Sequence, residues 1–293
     1  MTGKIKRKKS LFKRLHENKK FLAAESIFLP VLLGLVIYLL WQFQILHKIL
    51  NTNTFVLPLP SRIGHIITGN WSRIAVDIKA TMTVALIGLA VGVLAGYLIA
   101  VLASVFPLWM KSGVTIVAAF NAIPIVALAP VMTNWTKDVS SDANFRSMVA
   151  KTIVVAIVSM ANMSINAYRG LTELKPYSED LMRTVAAGRM KVLFKLRIPN
   201  SVPYIFTALK VAVPSSIISA IVSEYFAEYI VGVGRKIREN IVLAQYSTAW
   251  AYITVACVLG ILMYVVLMII QKIFLGKRYR SCITSFCVVT KII

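Results

Sequence analysis

The chain alternates between long apolar blocks and shorter polar segments that are rich in lysine and arginine. Six of the apolar blocks are about 20 residues or longer, the length that a helix needs to cross the hydrocarbon core of a bilayer. They occupy about residues 27–46, 80–105, 112–135, 148–167, 202–224 and 249–275. The blocks lack the polar faces of helices that pack on a soluble core. The pattern therefore predicts an all-α polytopic membrane protein with six transmembrane helices.

Two of these blocks have features that affect helix packing. The second carries Gly88, Gly92 and Gly96 at four-residue intervals, which places them on one helix face where another backbone can approach closely. The alternative explanation is the general abundance of glycine in membrane helices. The third block contains Pro124 and Pro130, and we expect it to be kinked or broken.

Composition and charge agree with this class. Apolar residues make up 58% of the 293 residues and charged residues 15%, whereas soluble proteins are roughly 45–50% apolar. The net charge of +22 comes from 33 Lys and Arg against 11 Asp and Glu. In a soluble domain this excess would favour a nucleic-acid partner. Here the basic residues flank apolar blocks, as expected for positive charge retained on the cytoplasmic side, so we expect no nucleic-acid partner.

The distribution of lysine and arginine predicts the orientation. Basic residues are concentrated before residue 21, in the 168–200 segment and after the last block, and these three regions share one side of a six-helix topology. By the positive-inside rule that side is the cytoplasm, although the loop after the fifth block, with Arg235, Lys236 and Arg238, goes against the trend. The expected organisation is a basic cytoplasmic tail (1–26), a first transmembrane helix (27–46), an external loop (47–79), a five-helix core (80–275) containing cytoplasmic loop 168–200, and a cytoplasmic tail (276–293).

The 168–200 loop is unusually long and charged for a membrane bundle, and its spacing predicts two short amphipathic helices. We expect Ser178 to cap the first helix, with Glu179 and Asp180 in its first turn, where the helix dipole favours acids. Its apolar face is formed by Leu181, Met182, Val185 and Ala186. Gly188 is expected to end this helix in a left-handed conformation.

The second helix of the loop is predicted to run through Val192 and Leu193 and to end before Pro199. Two such helices suit docking into a groove of a soluble partner. From charge alone, binding of anionic lipid headgroups by the basic residues is an equal alternative.

The residue order favours the partner. The loop resembles the cytoplasmic "EAA" loop of binding-protein-dependent ABC importer permeases, with Asp180 at the position of the Glu and Ala186 at that of the Gly. Segments 121–135, 166–212 and 220–226 are similar to permeases of the nitrate/sulfonate/taurine type and to relatives assigned to riboflavin and pyrimidine precursors. The resemblance covers roughly residues 55–275 and implies the type I importer fold.

In that family the loop forms coupling helices that sit in a cleft of the ATPase. The resemblance therefore implies a set of ATPase-coupling residues: Glu179, Asp180, Leu181, Arg183, Val185, Ala186, Ala187 and Gly188. The implied partners are ABC ATPase subunits, an extracytoplasmic solute-binding protein, and a second permease copy or paralogue, with a homodimer expected. The implied location is the cytoplasmic membrane of a bacterial-type cell.

The chain itself is not expected to be an enzyme. It has no GxxxxGK[ST] phosphate loop, and its cysteines and histidines lack ligand spacing, so we expect no catalytic residue, no metal and no cofactor in this chain. ATP and Mg are expected on the partner ATPase.

Polar residues within the apolar blocks are candidates for the translocation pathway, because such groups are costly in a membrane. The candidates are Asn121, Pro124, Asn162, Ser164 and Glu224. The alternative for Asn162 and Ser164 is a bond between helices, and for Glu224 a place at the membrane interface.

The expected function is the permease subunit of an importer for a small organic solute, which the sequence does not specify. A self-sufficient secondary transporter or channel is the main alternative, but no internal repeat or set of buried coupling carboxylates is evident. A membrane enzyme and a non-transporting scaffold are further alternatives.

Overall fold

The computed structural model describes residues 19–226 and 231–275. The chain divides into two compact units, residues 1–66 and 67–293, which are described separately. The helices are, in chain order, α1 (Lys19–Gln42), α2 (Ile45–Ile49), α3 (Pro60–Gly69), α4 (Trp71–Val105), α5 (Pro107–Ala119), α6 (Ile125–Trp135), α7 (Ala143–Thr172), α8 (Ser178–Thr184), α9 (Arg189–Val192), α10 (Ile198–Phe226), α11 (Val233–Val242) and α12 (Tyr246–Leu275). A 3₁₀ turn (Phe120–Ala122) precedes α6, and a π-helical turn (Leu193–Arg197) precedes α10.

The first unit contains α1, α2 and the start of α3. Gln44 lies in the left-handed region at φ 63°, which separates α1 from α2, so the first helix ends at Gln42 rather than near residue 46. The side chain of Gln42 bonds both the backbone N–H and the hydroxyl of Ser61, each at 3.2 Å. A helix follows the Leu-Pro-Leu-Pro segment (residues 57–60) and begins at its last proline, Pro60.

The second unit holds the helices that are long and apolar enough to cross a membrane. Among the described residues these are α4, α7, the continuous run 189–226 and α12. A further pair, 112–122 and 125–135, is bent by 101° at its break and makes a fifth span if the pair counts as one. The described apolar part of α1 is shorter, Phe28–Gln42, so the count of six stays a prediction.

The break in the third block confirms the expectation drawn from its prolines. Ile123 is extended at ψ 122° and Pro124 immediately precedes α6. A residue before proline is disfavoured in the helical region, because its backbone meets the proline ring. Pro130, in contrast, is accommodated inside α6.

Several boundaries of the bundle differ from the sequence prediction, and two of them change the predicted loops. Helix α4 begins at Trp71, nine residues before residue 80, so the end of the predicted external loop is helical. Asp77 and Lys79 made this stretch look like loop, yet Asp77 is buried. Helix α7 continues to Thr172, which shortens the predicted 168–200 loop on that side.

The glycine face of α4 packs directly on α7, as one of the two sequence interpretations predicts. A Cβ built on Gly88 would lie 2.6 Å from Cβ of Val155, and one on Gly92 would lie 2.7 Å from Cβ of Ser159. Such distances are too short for real side chains, so only glycine permits this approach. The two helix backbones are therefore in near contact, and α7 is the central element of the unit.

The end of α7 is fixed to the start of α10 by equally close contacts. A Cβ on Gly170 would lie 2.7 Å from Cβ of Tyr204. The amide of Asn200 donates to the carbonyls of Gly170 (2.8 Å) and Glu173 (3.1 Å), which are among the last acceptors of α7 and lack helical donors.

The second loop helix does not end before Pro199; that prediction is wrong. Helix α9 continues through the π turn 193–197 into α10, and the run is unbroken to Phe226. Proline lacks the N–H of a regular helical bond, and the wider turn just before it accommodates that loss. The loop is consequently built into the fifth predicted span.

Candidate functional site

Helix α8 is the centre of the candidate site, and its start differs from the prediction. Tyr177 precedes the helix in the left-handed region at φ 62°, and Ser178 is the first helical residue. No side chain caps the helix, so the predicted Ser178 cap is wrong. Glu179 and Asp180 do occupy the first turn, where the helix dipole favours their charge.

The end of α8 forms a Schellman motif around Ala186. The N–H of Ala186 donates to the carbonyl of Arg183 (2.9 Å), and the N–H of Ala187 donates to that of Met182 (3.0 Å). Ala186 is left-handed at φ 47°, whereas Gly188 is extended at φ −65° and ψ 162°. Gly188 therefore does not end the helix, contrary to the prediction. The left-handed residue instead coincides with the position at which the EAA pattern has glycine.

Two apolar side chains of this turn face outward. Leu181 is 68% exposed and Val185 is 60% exposed, and they are four residues apart, which places them together on one side of the helix turn. We call Leu181 and Val185 the apolar pair. Asp180 and Arg183 beside them are also exposed and lie 4.0 Å apart. The pair is positioned for contact with another molecule.

Glu179 contacts Arg197, although its side chain is 41% exposed. Its Oε1 accepts a hydrogen bond of 2.8 Å from Nη2 of Arg197, and Nη1 of Arg197 donates to the carbonyl of Ser104 at the end of α4. A cavity of about 480 Å³ lies at this junction, lined by Glu179, Arg197, Arg189 and Ala187 among others. The first turn of α8 is thus joined to two membrane helices through one arginine.

Three of the predicted pathway residues lie together at the break of the third block. Asn121 is exposed in the 3₁₀ turn next to Pro124, and its amide donates to Oδ1 of Asn162 on α7 at 3.5 Å. The other two are elsewhere. Ser164 is buried and its hydroxyl donates to the carbonyl of Ala161 in its own helix (3.0 Å).

Glu224 is fully buried and belongs to a polar cluster near the end of α10 that lies away from the loop. The hydroxyl of Thr81 donates to both of its carboxylate oxygens, at 3.0 and 2.9 Å. The backbone N–H of Gly234 donates to Oε2 at 3.0 Å, and Nζ of Lys151 lies 3.6 Å from Oε1. Helices α4, α7 and α10 therefore meet at one carboxylate, which is 0% exposed.

Asp77 completes this cluster on the side of α11 and α12. Its Oδ1 accepts from the N–H of Gly232 (3.1 Å), and its Oδ2 accepts from the hydroxyl of Tyr252 (2.8 Å). The N–H of Val233 donates to the hydroxyl of Thr81 (3.0 Å). Three successive N–H groups at the start of α11 are thus satisfied by side chains of α4 and α10, which fixes this helix start.

Gly232 is required at its position for two reasons. Its φ of 137° is in a region that other residues rarely adopt, and a Cβ there would collide with the Glu224 carboxylate.

Of the polar cluster around Glu224, the sequence identifies only Glu224 itself as a candidate. Asp77 had been placed in an external loop, and Lys151 lies inside the fourth apolar block without having been singled out. A lysine within a membrane block is a signal in itself, because an intramembrane charge needs a partner.

The basic residues of α11, which go against the positive-inside trend, make local contacts. Nζ of Lys236 bonds Oε2 of Glu239 at 2.8 Å, and this bond lowers the pKa of the Glu239 carboxyl below its ordinary value. Nη1 of Arg238 donates to the carbonyl of Tyr225 (3.3 Å). The Arg238 contact anchors α11 to the end of α10, whereas the Lys236–Glu239 pair lies within α11.

Comparison with known proteins adds the family context. Residues 88–280 match the family described as "Binding-protein-dependent transport system inner membrane component". The chain is 25% identical over 253 residues to the formylaminopyrimidine transport permease protein ThiX of Halalkalibacterium halodurans, which covers 86% of this chain and 96% of that protein. It is 26% identical over 150 residues to the bicarbonate transport system permease protein CmpB of Synechococcus elongatus, an alignment that covers 51% of this chain and 48% of that protein. It is also 26% identical over 148 residues to the nitrate import permease protein NrtB of Leptolyngbya laminosa, which covers 50% of each chain.

Proposed function

The chain belongs to the family of binding-protein-dependent transport system inner membrane components, and from that premise we propose that it is the permease subunit of an ATP-driven importer. It is a multi-pass membrane protein with the type I permease fold. It forms the path for a small organic solute, which an extracytoplasmic binding protein delivers, and separate ATPase subunits power the cycle.

The observation that carries the proposal is the exposed apolar pair on α8. Large apolar side chains that face water on a short surface helix are typical of a surface that another protein covers. The pair lies within the segment that resembles the EAA loop. An anionic lipid surface would instead select the basic side chains of the loop and would repel Glu179 and Asp180, which lie beside the apolar pair.

The two acidic residues of α8, Glu179 and Asp180, have different surroundings. Glu179 is engaged by Arg197 within the chain, whereas Asp180 is 68% exposed. Asp180 is therefore the carboxylate that is available to a basic side chain of the ATPase. Arg183, Ala186, Ala187 and Gly188 complete the contact segment.

The remaining assignments follow from this arrangement. ATP and Mg belong to the ATPase subunits, two of which act on two permease chains, most simply a homodimer. The loop side of the bundle is cytoplasmic, and so are both termini, which agrees with the charge distribution. The location is then the cytoplasmic membrane of a bacterial-type cell.

For the solute path we favour the broken helix. Asn121 and Asn162 present polar side chains near Pro124, where the helical backbone is interrupted, an arrangement that transporters use at binding sites. Ser164 and Glu224 are buried, so they would line the solute path only after the helices around them move. Among the three relatives named above, the formylaminopyrimidine permease aligns over the largest share of both chains, which favours a small heterocycle over an inorganic anion.

The test is reconstitution of the full chain in liposomes with the ATPase and binding protein encoded beside it. We expect the ATPase to co-purify and the loaded binding protein to stimulate ATP hydrolysis. Leu181→Asp and Val185→Asp should reduce ATPase co-purification by tenfold or more, because a charge enters the apolar contact.

Val242→Asp is the matched control. Val242 is 75% exposed at the end of α11, away from the loop, so this change should leave ATPase retention unaltered. Solute uptake driven by an ion gradient without any ATPase would refute the proposal in favour of a secondary transporter. Full retention of the ATPase by the Leu181→Asp and Val185→Asp variants would remove α8 from the interface.

A further inference from the structure

Arg197 occupies a junction that the proposed function does not explain. It lies in the π turn before α10, and its side chain is 23% exposed. One guanidinium nitrogen donates to Glu179 on α8 and another to the carbonyl of Ser104 on α4. The side chain of Arg197 therefore contacts both α8 and the end of α4. Arg197 itself belongs to the continuous helical run 189–226, which contains α10.

The contact with Ser104 has a clear physical cause. Helix α4 ends at Val105, and the next helix starts at Pro107, which has no N–H to offer. The last carbonyls of a helix lack internal donors, and the helix dipole makes them favourable for a positive charge. The guanidinium of Arg197 supplies both a hydrogen-bond donor and a positive charge at this end, so it caps α4.

The contact with Glu179 is the link from α8 to the bundle. Within the described part of the chain, the side-chain hydrogen bonds of α8 are this one and the internal bond from Thr184 to the carbonyl of Leu181. The planar guanidinium holds two acceptors in fixed directions, which a lysine ammonium does not reproduce. Of the apolar pair, Leu181 lies on the same helix, two residues after Glu179, and Val185 follows its last residue.

We propose that Arg197 is a positioning residue that transmits displacement of α8 to the inner end of α4. The proposal rests on the proposed function, since it assumes that an ATPase moves α8. When α8 shifts, the Glu179–Arg197–Ser104 chain of hydrogen bonds pulls on the α4 terminus. Because α4 packs on α7 through its glycine face, the movement passes into the centre of the bundle.

The experiment uses hydrogen exchange on the full chain, alone and with its ATPase. In the chain alone, Arg197→Lys should increase amide exchange in residues 178–184 at least threefold, and Glu179→Ala should do the same. Glu179→Gln keeps an oxygen acceptor for Nη2 of Arg197 and should remain close to wild type.

In the complex, ATP with vanadate should alter exchange in residues 98–106 of the wild-type chain. Arg197→Lys should still retain the ATPase and hydrolyse ATP within about twofold of wild type, but the change in 98–106 should fall below a third of its wild-type size. Lys195→Met is the matched control: it removes an exposed charge from the same π turn and should behave as wild type in both measurements.

The two possible failures are distinguishable. A wild-type chain that retains no ATPase overturns the proposed function, and the transmission role with it. A wild-type chain that retains and responds to the ATPase, together with an Arg197→Lys variant whose exchange at 98–106 still responds fully to ATP, overturns the role of Arg197 alone.

Discussion

The ammonium of Lys151 lies 3.6 Å from the carboxylate of Glu224, and both side chains are almost completely buried, at 5% and 0% exposure. They come from α7 and α10, two helices that the charged loop separates in sequence. A buried ion pair is not by itself strong evidence of stability, because removing both ions from water is costly. Here the carboxylate also accepts from Thr81 and Gly234, so its charge is well compensated.

We expect this pair to be energetically coupled. Lys151→Met or Glu224→Gln alone leaves the other buried charge without its counter-charge, at a cost of about 3–5 kcal/mol. Each single change should lower Tm by roughly 6–20 °C in detergent, taking about 2–4 °C per kcal/mol for a domain of this size. The double variant should lose clearly less than the sum, because no isolated charge is left.

Lys210→Met is the control for this cycle. Lys210 lies on α10, as Glu224 does, but is only partly buried, and its removal should shift Tm by roughly 2 °C or less. Strictly additive effects of the two single variants would show that Lys151 and Glu224 do not interact directly.

The start of α11 should be sensitive to the loss of Gly232. Gly232→Ala places a methyl group against the Glu224 carboxylate and forces a side chain into a backbone region that suits glycine. We expect a loss of at least about 2 kcal/mol, since strain and a disturbed polar cluster add together. The measurement is Tm and the yield of monodisperse protein after extraction.

Gly260→Ala provides the contrast within the same unit. Nothing lies within 4 Å of a Cβ on Gly260, which is in the interior of α12. Alanine is preferred over glycine in a helix interior by about 0.5–1 kcal/mol, so this variant should be as stable as wild type or slightly more so. If both variants lower Tm equally, the special role of Gly232 is refuted.

The sequence predicted those features that depend on local chemistry. Apolar block length located α4, α7, α10 and α12, and Pro124 located the break, since a proline restricts the residue before it. The spacing of the α4 glycines showed that a flat helix face exists, although it did not identify α7 as the helix that covers it.

The features that escaped prediction depend on contacts between distant residues. Asp77 and Glu224 are each acceptable at a membrane surface, and only the folded bundle brings both to the start of α11. The end of α8 was misplaced because Gly188 is the stronger left-handed signal in sequence. The backbone turns two residues earlier, at Ala186, because the Schellman bonds to Arg183 and Met182 form there.

The glycine face of α4 gives a direct test of helix packing. A Cβ on Gly92 would collide with the carbonyl oxygen of Ala156, and it would lie 2.7 Å from the Ser159 side chain. Backbone cannot move aside cheaply, so Gly92→Ala should cost roughly 1–3 kcal/mol through overpacking. Gly34→Ala meets open space on α1 and should leave Tm unchanged; an unchanged Tm for Gly92→Ala would contradict the close approach of α4 and α7.

The left-handed turn after α8 gives the last prediction. Ala186 is strained at φ 47°, whereas glycine adopts this conformation without a steric penalty. Ala186→Gly should therefore stabilise the helix end, by up to about 1 kcal/mol, and slow amide exchange in residues 178–187 by up to about fivefold. Gly188→Ala should be tolerated, because its φ is −65° and nothing lies within 4 Å of the added Cβ. Faster exchange in Ala186→Gly than in Gly188→Ala would show that the turn is centred on Gly188 after all, as the sequence alone indicated.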